Sequence, residues 1–154
     1  MGTPGTRIAA RAAMTRPLEL PIPRTLDAIV NRNRALCEIG LATPSEIDGL
    51  RGDIDAPAGA EKDVLTDWRF IAFRIRQHQT ALVLLGDAER QSLILCTSEV
   101  QVASRDGARV RTRNSIYALA RAGEGEPPVQ HLLQLCATLH EWGLGRILGA
   151  LEVW

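Results

Sequence analysis

Apolar and polar positions alternate most clearly in the middle of the chain, where Glu99-Val-Gln-Val-Ala-Ser-Arg-Asp-Gly-Ala-Arg-Val-Arg-Thr-Arg113 reads as a β-hairpin. A three-residue loop, Arg105-Asp106-Gly107, closes it with glycine in the left-handed region, where a missing Cβ removes the steric cost. That loop pairs Ser104 with Ala108, Val102 with Val110 and Val100 with Thr112 on one face. The other face carries Ala103 with Arg109, Gln101 with Arg111 and Glu99 with Arg113. A two-residue Asp-Gly turn would set Val102 opposite Arg111 and mix the faces, because a slip of one residue turns every side chain over. The three-residue loop is therefore expected, and it places Arg109, Arg111 and Arg113 on the solvent face of an edge strand.

On either side the pattern changes period. Thr25 reads as the N-cap of a helix with Leu26, Ile29, Val30, Leu36 and Ile39 inward and Gly40 as its stop. Thr43-Pro44-Ser45-Glu46 is a capping box with proline at the first helical position, predicting a short helix to about Leu50. Residues 52–62 read as a linker. Val64, Leu65, Trp68, Ile71, Ala72 and Ile75 share a helical stripe, yet Phe70 and Phe73 would then face water. The run Trp68-Arg-Phe-Ile-Ala-Phe-Arg-Ile75 is rich in strand formers, so a strand is expected at 68–76. Thr80–Leu85 is an apolar strand buried on both faces, Gly86-Asp87-Ala88-Glu89 a turn, Leu93–Thr97 a third strand, and Ser115–Leu119 a continuation of the hairpin. A helix from about 128 to 142 gathers Leu132, Leu133, Leu135, Cys136, Leu139 and Trp142 on one broad face, with His131 at its flank. A last short helix turns Ile147, Leu148, Leu151 and Trp154 inward. The order predicts an α+β fold: an antiparallel β-meander of about five strands over 68–119, with N-terminal and C-terminal helices packed on it. Residues 1–24, interrupted by Pro17, Pro21 and Pro23, are expected to be extended or disordered, and 25–154 to form one domain.

Length and charge narrow the function. A chain of 154 residues can bury about 70% of its unfolded surface, enough for a core. No apolar run approaches the roughly 20 residues that span a bilayer, and the start lacks the compact apolar stretch of a secretory signal. Cys37, Cys96 and Cys136 are odd in number and widely spaced, so neither disulfides nor a zinc knuckle is indicated and a cytoplasmic setting is expected. The cations are 17 arginines and Lys62, balanced by 18 acidic residues. The bias reads as the codon usage of a GC-rich genome, and zero net charge argues against general affinity for phosphate backbones. Acidic residues concentrate over 38–67 and basic ones over 99–121, which is most simply explained if the two segments face each other within one molecule.

Candidate chemistry is sparse. Two short helices around Gly40-Leu41-Ala42 make a poor helix-turn-helix, because the second would present Glu46 and Asp48 to phosphate. Gly143-Leu-Gly-Arg-Ile-Leu-Gly149 follows a helix instead of a strand and reads as a helix stop, not a dinucleotide loop. Of His131, Cys136 and His140, only the last two share a helix face, too few for zinc. Asp63 and Asp67 form a carboxylate pair of the kind common in acidic linkers. No catalytic residue, metal or cofactor is assigned. The binding candidates are Arg109, Arg111 and Arg113 with Gln101 alongside, a strip suited to phosphate or carboxylate.

The run Leu65-Thr-Asp-Trp68, then Thr97-Ser98, then Arg111-Thr-Arg-Asn-Ser-Ile-Tyr117-Ala-Leu119 resembles a group of small uncharacterised alphaproteobacterial proteins found on chromosomes and mobile elements. The tail motifs Gly123-Glu-Gly-Glu-Pro127, His131-Leu-Leu133, Cys136-Ala-Thr-Leu-His140 and Trp142-Gly-Leu-Gly145 add to it. The resemblance covers about residues 65–149 and implies a bacterial cytoplasmic setting and strands at 68–76, but no activity. The function expected is that of a non-enzymatic accessory protein that binds another protein. Nucleic-acid binding through the arginine strand is the alternative, and a thiol or carboxylate enzyme the third.

Overall fold

A computed structural model describes residues 21–153. The fold is α+β, but the sheet is a mixed one of eight strands and not a five-stranded antiparallel meander. In chain order the elements are a 3-10 turn (Asp27–Ile29), β1 (Cys37–Leu41), α1 (Pro44–Asp48), β2 (Arg51–Gly52), β3 (Asp63–Ile75), β4 (Ala81–Ala88), β5 (Leu93–Cys96), β6 (Val100–Ser104), β7 (Arg109–Thr112), β8 (Ile116–Leu119), α2 (Val129–Glu141) and α3 (Gly145–Leu148). The sheet runs β2-β6-β7-β8-β3-β4-β5, with β1 also paired to β3. Among the described residues no helix is long and apolar enough to cross a membrane.

The organising element is β3. One edge pairs antiparallel with β4 from Leu65 to Phe73. The other is shared: β8 runs parallel to Asp63–Leu65, and β1 runs antiparallel to Ile71–Ile75. Two apolar layers lie against it. Ile71 and Phe73 join Val83, Leu85, Leu132, Leu135 and Leu139 on the helix side. Leu65, Phe70 and Ala72 join Leu82, Leu84, Val100, Ala103, Val110 and Tyr117 on the other. Leu65 and Phe70 have opposite parity and yet face the same layer, which a regular strand forbids. A bulge between Thr66 and Arg69 resolves this, with Asp67 at φ 48°. Because β6–β8 curl over β4, the second strand is buried on both faces, as its composition predicts.

Several expectations are corrected. Thr25–Ile39 is not a helix: after one 3-10 turn the chain extends, and Cys37–Leu41 becomes β1. Asn31-Arg-Asn-Arg-Ala35 offers no apolar stripe to hold a helix, whereas pairing with β3 satisfies a row of exposed backbone groups. No helix-turn-helix forms, because α1 follows a strand. The turn expected at Gly86–Glu89 falls later, since β4 continues to Ala88 and Ser92 supplies the positive φ of 53°. Glycine at 86 serves a close approach: a Cβ there would stand 2.9 Å from Trp68 Cα in the bulge. In the last helix Leu148 is inward but Ile147 is exposed, and the inward placement expected of Trp154 lies outside the described residues. The expectation for residues 1–24 likewise falls almost wholly outside them.

The capping box of α1 forms as read, with Thr43 Oγ1 accepting from Glu46 N and Glu46 Oε1 accepting from Thr43 N. Glu46 also takes a two-pronged bond from Arg74 of β3, Nη2 to Oε1 at 2.8 Å and Nε to Oε2 at 3.0 Å. Those bonds, Arg74 first, hold the Glu46 carboxyl down at about 2, although partial burial opposes them. The folded pKa lies below the unfolded one, so the pair's stabilisation is complete above about 4.5 and is lost as pH falls through about 2. Replacing Glu46 by glutamine should cost about 1 kcal/mol at pH 7. The gap between variant and wild type in urea melts should narrow as pH falls to 2 and close below it, and a gap independent of pH would show that the pair carries no net stability.

Candidate functional site

The arginine strip is built, but for an internal use. β7 lies between β6 and β8 and is not an edge strand. The hairpin keeps the expected pairs at its open end, Val100 with Thr112 and Glu99 with Arg113. Nearer the turn it adopts the register that sequence reasoning rejected, with Val102 opposite Arg111 and Ala103 opposite Val110. A bulge at Gln101 joins the two registers and lets Val100 and Ala103, three residues apart, both reach the core. Gly107 takes φ 76° as expected, but its N–H closes a turn onto Ser104 O, and the loop spans four residues.

Linker residues 53–61 lie across the basic face. Arg109 donates to Ile54 O at 3.2 Å and Ala56 O at 3.3 Å, and stands 3.6 Å from the Glu61 carboxylate. Arg111 donates to Asp55 O at 3.4 Å, and Arg105 pairs with Asp53 at 3.3 Å. The acidic and basic segments therefore face each other within the molecule. Arg113 alone of the three is largely in solvent, 3.9 Å from Glu99. Gln101 is exposed on the bulge, out of line with Arg111.

Burial disfavours the thiolate at all three cysteines. Burial pushes Cys96 up to about 12 and Cys136 up to about 11, and raises Cys37 as well. This is the reverse of the lowered pKa that marks a reactive cysteine. His131, Cys136 and His140 do not converge either: His140 Nε2 lies 2.9 Å from Ala150 O, locking α3, and Cys136 is core.

A different cluster lies at the bulge, on the helix side of the sheet. Asp87 continues the line of Val83 and Leu85 toward α2, by simple alternation. His131, in the first turn of α2, is 3% exposed and places Nε2 2.9 Å from Asp87 Oδ1. A carboxylate only accepts, so Nε2 is the donor of this bond. Among the described residues, His131 Nδ1 is the buried side-chain polar atom without a partner. Asp67, at the bulge, brings a second carboxylate, and one ligand atom from each of Asp67, Asp87 and His131 lies within 4.8 Å of the others.

Arg69 holds this corner together. Buried beside Asp67, it donates to Asp67 Oδ1 at 3.2 Å, Gly125 O at 2.8 Å and Glu124 O at 2.9 Å, tying the loop before α2 to the sheet. Gly123 makes room for it: a Cβ there would meet the Arg69 guanidinium at 2.5 Å and Asp67 Oδ1 at 2.6 Å. Sequence reasoning does not bring the three together. It weighs Asp67 as a pair with Asp63, reads Asp87 as a turn, and weighs His131 only with Cys136 and His140. Extending the odd-numbered line of Val83 and Leu85 by one step would have placed Asp87 under the helix. Nothing in the sequence marks the bulge that brings Asp67 beside it.

A third feature is apolar. Leu36, Ile75, Trp142 and Ile147 are exposed near one end of the molecule, where β1 begins and β3 and α2 end. Trp142 meets Phe73 edge-on at 6.3 Å, Arg76 N donates to Leu36 O, and Asn33 Nδ2 donates to Ile147 O. Arg32, Arg76 and Arg146 are exposed around this end, with Glu38 and Glu141. No family model matches the chain, and neither does any curated protein or solved structure.

Proposed function

We propose that the protein is a non-enzymatic interaction protein that binds an apolar segment of another protein at the end formed by Leu36, Ile75, Trp142 and Ile147. One observation carries the reading: two aliphatic side chains more than half exposed, Leu36 at 53% and Ile147 at 52%, share this end with a tryptophan at 40%. Isolated exposed leucines are ordinary, but a tryptophan among aliphatic residues, rimmed by arginine, has the composition of an interface centre. Arg32, Arg76 and Arg146 make none of the ion pairs found among the described residues, so carboxylates flanking the partner's apolar segment would meet open cations. The nucleic-acid alternative is the weaker one, because Arg109 and Arg111 are spent on the linker.

The test is site-specific photo-cross-linking in cells, with the probe at Ile147 or, as a control, at Arg105 on the far hairpin. A defined partner captured from Ile147 alone, and weakened when Arg76 and Arg146 become glutamate, is the expected result. The same products from both positions, or none from Ile147, would overturn the reading.

A further inference from the structure

We infer that Asp67, Asp87 and His131 form a binding site for one divalent first-row transition ion. The donors come from three separate elements, β3, β4 and α2, and converge within 4.8 Å. Two ligands bound at right angles to one ion, each about 2.1 Å away, stand about 3 Å apart. His131 Nε2 and Asp87 Oδ1 are 2.9 Å apart. A small movement of Asp67 then narrows the set to the roughly 4 Å or less that one ion requires.

The second observation is the histidine itself. Anchoring α2 to the sheet needs only an apolar side chain at this position, since Leu132, Leu135 and Leu139 already do that work. A buried imidazole is a costly substitute there, because its ring nitrogens give up water, and it turns Nε2 into the cluster toward Asp87. An imidazole whose Nε2 faces only a carboxylate can give Nε2 to a metal, its one remaining ring proton then sitting on Nδ1, while the carboxylate stays as co-ligand.

The donor set also selects the ion. One imidazole with two carboxylates suits Mn(II), Fe(II), Co(II) or Zn(II), whereas Mg(II) and Ca(II) favour oxygen throughout. Among the described residues, Arg69 engages Asp67 through Oδ1 and leaves the other oxygen for an ion. Two carboxylates beside one guanidinium leave one net negative charge to attract a cation. The Asp87 side chain is half exposed, so the cluster is open to solvent on that side.

Titration calorimetry of the full chain with zinc chloride and with manganese chloride tests the site. One ion per chain is expected, with Asp67→Asn and Asp87→Asn each weakening it by more than about tenfold. Should either variant fold poorly, wild-type protein still decides: Mn(II) should broaden amide signals around Asp67, Asp87 and His131 before any others. No binding at millimolar ion, unchanged affinity in both well-folded variants, or broadening centred elsewhere would each overturn the proposal.

Discussion

Replacing Leu139 by alanine should lower the unfolding free energy by about 2–5 kcal/mol, a large share of the roughly 5–15 kcal/mol that holds a domain together. Leu139 is fully buried on α2 and belongs to the helix-side core with Leu132, Leu135, Ile71, Phe73, Val83 and Leu85. The lost methyl groups cost their transfer energy, and the cavity adds to it because two strands and a helix cannot all close on the gap. Trp142, on the same stripe, is partly exposed and touches Phe73 only edge-on, so its truncation should cost clearly less. Denaturant melts of the two variants check the order. Equal small losses would mean that α2 does not pack as described.

The same helix shows how far periodicity carries. Its apolar stripe is legible because six side chains at helical spacing leave one packing solution, and α2 spans Val129–Glu141 as that spacing requires. The phase of the polar residue at its edge is not legible. His131 stands at the flank in sequence yet is buried, because what it meets is Asp87 on a strand 44 residues away. The N-terminal helix fails for a related reason. Leu26, Ile29, Val30 and Ile39 are all core residues, as their spacing suggests, but they reach it through a 3-10 turn and a strand. Apolar spacing identified four of the five expected positions there, Leu36 being exposed at the start of β1, without identifying the backbone that delivers them. An unpaired stretch of β3 decided that backbone, and no local pattern reports such a demand.

Bulges account for most of the remaining differences. The hairpin follows the expected pairing at Val100 and Thr112 and departs from it nearer the turn, because one extra residue at Gln101 is absorbed by the strand. The bulge in β3 has the larger consequence, since it turns Asp67 toward Asp87 and His131 and Arg69 toward the loop before α2. A bulge leaves almost no trace in composition. Asp67 at positive φ is also a poor advertisement for one, since aspartate visits that region in ordinary turns. The arginine strip, by contrast, was legible as a strip but misjudged in its place in the sheet, in Gln101 as its neighbour and in what it faces. The acidic linker that covers it was visible in the charge distribution, and the two observations needed only to be put together.

Asp63 should prove the most expensive single charge in the molecule to remove. It opens β3, is fully buried, and accepts four hydrogen bonds. Oδ1 accepts from Val64 N at 2.6 Å and Arg90 N at 2.8 Å, and Oδ2 accepts from Gln91 N and Gln91 Nε2, both at 3.0 Å. Burial alone would raise this carboxyl, but the donors outweigh it and hold the group below its ordinary value of 3.8. The turn between β4 and β5 therefore has no other acceptor for two of its amides. Asp63→Ala should cost about 3 kcal/mol by stranding those donors, and Asp63→Asn a little less, because its amide nitrogen faces N–H groups where an oxygen stood. The folded pKa is depressed, so the wild-type advantage is complete above 3.8 and is lost as pH falls through the lower folded value. Urea melts at pH 7 and at successively lower pH should show Asp63→Asn and wild type converging on the acid side. If the two remain equally far apart down to pH 2, the bonds to Asp63 do not depend on its charge, and the turn is held by something else.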